Sequence, residues 1–84
     1  MRFQATPEFF ERYEVLDDET AACVDEALQR LLVEHAGAWA RQNRVVGDHG
    51  AAWLIAVRCR AGDFALYWRE SDDDTIVLVL LLRN

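Results

Sequence analysis

Arg58, Tyr67 and Arg69 are the residues of this chain whose types and spacing could do chemistry. They fall in two stretches, Ala51 to Arg60 and Phe64 to Glu70, that read as alternating strands. Gly62-Asp63 between them suits a two-residue hairpin with glycine first. With that loop, Val57 faces Trp68, Arg58 faces Tyr67 and Ala56 faces Arg69. Side chains alternate across a strand, so Trp53, Ile55, Val57, Cys59, Phe64, Leu66 and Trp68 share one apolar face, which must take the helices. The other face gathers Leu54, Ala56, Arg58, Arg60, Ala65, Tyr67 and Arg69, and Arg83 is expected to join it from the last strand. A tyrosine among arginines on an open sheet face is suited to holding an anion or a peptide.

Other chemistries are excluded by residue type. Every basic side chain is Arg and none is Lys, which removes a lysine nucleophile or lysine base. Cys23 and Cys59 form neither a disulfide framework nor a metal knuckle and are expected as reduced, packed thiols. Together with His35 and His49 they complete no spacing that zinc requires, so no metal and no cofactor are expected. Asp72-Asp73-Asp74 lacks the spaced carbonyl and bidentate ligands of a calcium loop and reads as a hairpin tip. Asp48-His49, between two glycines, reads as a turn more than as a general-base pair. Trp53 and Trp68 lie on the apolar face, leaving Trp39 free to stack on a base.

The elements that must position these residues fit in a single domain, 1–84, because 84 residues cannot close a second core. An apolar fraction of 52% with one proline and four glycines describes a folding chain. The net charge of -6 disfavours nucleic acid, since phosphate affinity comes from basic residues displacing counterions. Only the middle is basic: residues 37–62 hold Arg41, Arg44, Arg58 and Arg60 against Asp48 alone. At the N-terminus Glu8, Glu11 and Arg12 interrupt Phe9, Phe10 and Tyr13, unlike a signal segment, and the longest apolar run, Ile76 to Leu82, is too short to cross a bilayer. A cytoplasmic protein with no membrane contact is expected.

Met1 to Ala5 alternates as a half-buried strand. Thr6-Pro7-Glu8 then has the cap, the N1 proline and the first-turn acid of a helix start, with Phe9, Tyr13 and Leu16 facing inward and the helix ending near Leu16. Val24, Ala27, Leu28, Leu31, Leu32 and His35 repeat at helical spacing in a second helix, which Gly37 is placed to end in a left-handed conformation. After Gly37 the period becomes two. Arg44-Val45-Val46 is a short strand, Gly47 to Gly50 its turn, and Thr75 to Leu82, apolar on both faces, reads as a central strand. The expected fold class is α+β: a leading strand, a two-helix hairpin, then an antiparallel β-meander with the helices on one face.

In that order of elements the chain resembles the RelE/ParE superfamily of toxins from bacterial toxin–antitoxin modules. The resemblance runs through Phe9-Phe10, the Val24 to Leu32 helix, Arg44-Val45-Val46-Gly47, Trp53 to Arg58, Phe64 to Trp68 and Ile76 to Leu80. It implies a toxin component neutralised by a cognate antitoxin, whose segment packs along the sheet and helices. Ribosome-dependent ribonucleases of the superfamily carry working basic residues where this chain has Leu54, Ala56 and Ala65. The implied action is therefore protein binding through Leu54, Ala56, Arg58, Arg60, Tyr67, Arg69 and Arg83, with weak or no ribonuclease activity. Two alternatives stand beside it. One is an mRNA endonuclease in which Arg58 and Arg69 stabilise transition-state charge and Tyr67 donates a proton. The other is a homodimeric interaction domain with no toxin role.

Overall fold

A computed structural model of the chain describes residues 2–48 and 50–84. Met1 and the His49 half of the Asp48-His49 pair lie outside the described residues. The fold is α+β, with two helices and a five-stranded mixed sheet. In chain order the elements are β1 (Arg2–Ala5), α1 (Pro7–Glu14), α2 (Asp18–Glu34), β2 (Asn43–Gly47), β3 (Gly50–Cys59), β4 (Gly62–Ser71) and β5 (Thr75–Arg83). The sheet order is β1-β5-β4-β3-β2: β2 to β5 form the antiparallel meander, and β1 returns parallel to β5. No described helix is long and apolar enough to cross a membrane.

Both helix starts follow from local chemistry. The Thr6 hydroxyl accepts from the Phe9 N–H at 3.1 Å and Pro7 occupies the first turn. The same hydroxyl donates to the Val79 carbonyl at 2.6 Å, so one side chain starts α1 and anchors it to β5. Asp17 caps α2 by accepting from the Thr20 N–H at 2.9 Å. Hydrogen bonds from Thr20, side chain first and backbone second, hold its carboxyl below the usual range, and Arg83 adds an electrostatic pull. The folded-state value thus lies below the unfolded one, which is near pH 4. The stability Asp17 contributes is therefore complete above about pH 4 and lost as acid passes down through the folded value. Acid titration followed by circular dichroism should show this component in the native chain and not in Asp17→Asn.

The helices are linked by the Tyr13 hydroxyl donating to Asp25 at 2.5 Å, which raises the phenol above its ordinary value, hydrogen bonding first and burial second. α1 packs on β5 and α2 on β3. They close one core of Phe9, Val24, Leu31, Ile55, Val57, Phe64, Leu66, Trp68, Ile76, Leu78 and Leu81. The helix-facing residues of β3 and β4 are the expected ones, but the register differs. The two-residue turn is Arg60-Ala61, and Gly62, at φ 147°, opens β4. Trp53 then lies opposite Trp68, Ile55 opposite Leu66 and Val57 opposite Phe64, pairing large apolar residues directly across the ladder. Val57 was expected opposite Trp68, four residues further along β4. A shift by an even number leaves each side chain on its face.

Three other expectations are corrected. α2 ends at Glu34, and Gly37 does not take a left-handed conformation, since the positive-φ glycines are Gly50 and Gly62. Instead the chain turns through residues 35–42 and tucks onto the core, burying Ala40. Trp39 is not free to stack on a base, because it packs against the core with the Arg30 guanidinium 4.0 Å above its ring. Cys23 and Cys59 are not thiols but a disulfide. Their Cα atoms are 5.9 Å apart, because α2 crosses the end of β3 on the face to which Cys59 points.

The tuck is held by the buried Trp68 indole N–H, which donates to the Ala40 carbonyl at 3.0 Å. Trp68→Phe orphans that carbonyl and opens space in the core, and is expected to cost about 2 kcal/mol in urea unfolding.

Candidate functional site

The side of the sheet away from the helices is covered by no described element. Its centre is apolar: Leu54 lies opposite Tyr67, Ala56 opposite Ala65, Tyr67 opposite Leu80 and Ala65 opposite Leu82. Val77 and Ala65 are 4% and 8% exposed there. β5 supplies both faces because a bulge occurs beside Tyr67 and Trp68, which pair with Leu80 and Leu78 and leave Val79 extra. Alternation therefore changes phase at Val79. Ile76, Leu78 and Leu81 face the helices, while Val77, Leu80 and Leu82 face the open side.

At the end of this face near α1 is a concavity of about 500 Å³ lined by Thr6, Glu8, Ala52, Arg69, Val79 and Leu80. Arg69 lies one residue beyond Trp68, where the β3–β4 ladder ends, and lines the concavity together with Ala52. With Glu8 it gives the concavity one positive and one negative side chain. Among the described residues, neither Arg69 nor Arg58 makes an ion pair. Arg2, by contrast, is engaged by Asp73 and Thr75, each at 3.2 Å. Hydrogen bonds, led by that from Ser71 and followed by Thr75, hold the Asp73 carboxyl below its usual range, keeping it ionised opposite Arg2.

Of the expected site residues, the structure brings Leu54, Ala56, Arg58, Tyr67 and Arg69 to the open face and removes two. Arg60 sits in the β3–β4 turn, 3.8 Å from Glu19 of α2. Arg83 pairs with Phe64 and lies over its ring at 5.3 Å, on the helix side, beside Arg12 and Asp17. The bulge at Val79 is the reason, since without the phase change Arg83 would share the side of Val77.

Arg58 and Tyr67 are not neighbours either. Arg58 is opposite Asp63, whereas Tyr67 is opposite Leu54, four residues away along β3. At about 3.4 Å per residue that is roughly 14 Å, and Arg58 to the level of Arg69 is roughly 20 Å. A proton donor and its charge-stabilising partners must meet within hydrogen-bond reach of one reacting atom. Arg58, Tyr67 and Arg69 do not form such a cluster in this arrangement.

The sequence points to the two-sided apolar last strand as part of this surface without separating Val77, Leu80 and Leu82 from its helix-facing residues, and gives no sign of Ala52 or the Thr6–Glu8 rim. Among the described residues no three His, Cys, Asp or Glu side chains gather as a metal site would need. Comparison of the chain with protein-family models, curated proteins and solved structures returned no match.

Proposed function

We propose that this chain is a protein-binding toxin component of the RelE/ParE type, and that its uncovered sheet face receives a segment of a cognate antitoxin. The observation that carries the reading is the face itself. Ala52, Leu54, Tyr67, Leu80 and Leu82 form an apolar surface with no helix over it, flanked by two arginines without ion-pair partners. An apolar surface of this kind on a small domain marks a contact site. Unpaired Arg58 and Arg69 favour a partner segment that alternates apolar and acidic residues, and they oppose the close approach of another basic surface. The element order, with a helical hairpin on one face and a meander behind it, supports the same reading. The wide separation of Arg58 from Tyr67 and Arg69 favours binding over ribonuclease chemistry.

The test is expression of the native chain with and without the protein encoded by the adjacent open reading frame. Growth arrest relieved by the neighbour, with the two proteins copurifying, is the expected result. A harmless chain that sediments alone in the presence of the neighbour overturns the proposal. If Arg58→Ala abolishes arrest together with transcript cleavage, the endonuclease alternative replaces it.

A further inference from the structure

We propose that the Cys23–Cys59 disulfide is an exchange site for low-molecular-weight thiols, entered from the groove between α2 and the unpaired half of β3, with Cys23 as the sulfur attacked. β2 pairs only with Gly50 to Leu54, so Ile55 to Cys59 has β4 on one side and no strand on the other. Beside that free edge runs a groove of about 350 Å³, lined by Cys23, Glu26, Arg30, Trp39, Ala56 and Arg58 among others. Cys23 borders this groove and Cys59 does not, although both are half-buried. An incoming sulfur therefore meets Cys23 first.

The chemistry is thiol–disulfide exchange, and it needs no other oxidant or reductant. A thiolate attacks Cys23 Sγ and forms a new S–S bond, while the Cys23–Cys59 bond breaks and its electron pair leaves on Cys59 Sγ, which then takes a proton. A second thiolate attacks the small-molecule sulfur of this mixed disulfide. That releases the small disulfide and leaves Cys23 as a thiol, so two thiols are oxidised and one protein disulfide is reduced. Arg58 makes no ion pair among the described residues, while Arg30 is held by Glu34 at 2.9 Å, so changes of charge at this groove alter the rate of a thiol carrying carboxylates, such as glutathione, more than that of a neutral one.

Opening the bond releases α2 from the residue that directly precedes the β3–β4 turn. Besides the bond, the exposed Arg60–Glu19 pair at 3.8 Å, which is weak, and a 3.4 Å contact of Cys23 Sγ with the Arg58 carbonyl join α2 to this end of β3. The inference is independent of the toxin reading and its test uses no partner.

The oxidised full chain is incubated under native conditions with reduced glutathione, quenched in acid and mapped by peptide mass. A glutathione adduct on Cys23 is expected before the doubly reduced chain appears, with the far-ultraviolet circular dichroism still native. Glu26→Gln should raise, and Arg30→Gln lower, the glutathione rate relative to the 2-mercaptoethanol rate by about twofold, the effect of one solvent-exposed charge. That ratio cancels any change in general accessibility caused by either variant. In Cys59→Ser, the remaining Cys23 thiol should take up glutathione from oxidised glutathione without denaturant. An adduct on Cys59, no exchange until denaturant is added, or an unchanged rate ratio in both charge variants overturns the proposal.

Discussion

Replacing both Cys23 and Cys59 by serine lowers the melting temperature of the chain by roughly 15 °C or more, the expected consequence of removing a cross-link about 4 kcal/mol strong from a small domain. The two residues are 36 apart in sequence, and the bond spans the chain that contains most of α2, the tuck and all of β2 and β3. Without it the unfolded chain regains the freedom of that loop, while the folded chain loses its firmest tie between α2 and the sheet. Reductant should bring the melting curve of the native chain onto that of the double variant and leave the variant's own curve in place. A drop smaller than about 5 °C would show that packing of Val24 and Leu31 against Ile55 and Val57 holds α2 unaided.

Leu80→Glu is expected to weaken capture of the proposed antitoxin by about 100-fold, the size of a central contact residue. Leu80 is half-buried, borders the concavity near Arg69 and lies opposite Tyr67 at the middle of the open face. A carboxylate there must be desolvated by any segment that lies across the sheet. The residue stands outside the cluster that the helices cover, so the melting temperature should change little. Arg83→Glu is the matched control. It alters charge more, but on the helix side of the sheet, and is expected to leave partner affinity unchanged. Titration calorimetry of the two variants against the partner separates the faces. Equal losses from both would place the contact surface at the ends of the strands and not on the open face.

Much of the architecture was legible in the residues because periodicity is a local property. Thr6-Pro7-Glu8 marks the start of α1 through a hydrogen bond that reaches only three residues. The faces of β3 and β4 follow from alternation, which is why the division into Trp53, Ile55, Val57 and Leu54, Ala56, Arg58 survived a register that differs by four residues on β4. The apolar run of β5 correctly indicated a central strand, since β5 has β1 on one edge and β4 on the other. The parallel return of β1 beside β5 had no such local signal, because it depends on where the helical hairpin delivers the chain.

The site was legible by membership and not by arrangement. Alternation correctly sent Leu54, Ala56, Tyr67 and Arg69 to one side, but which of them stand level depends on the turn. Arg60-Ala61, and not Gly62-Asp63, makes that turn, and it is the register in which the large apolar residues stack across the ladder. Arg58 was thereby separated from Tyr67.

What the sequence by itself determined is the set of elements, the start of α1, the apolar faces of β3 and β4 and the acidic balance of the chain. These rest on hydrogen bonds and side-chain periodicities within a few residues. Only the tertiary structure decided that Cys23 and Cys59 meet, that Ala40 and Trp39 fold onto the core, and that one extra residue at Val79 turns Arg83 toward the helices. Each of those outcomes depends on how far apart distant segments lie once the core closes, and a distance of that kind is set by packing of the whole chain and written in no local stretch of it.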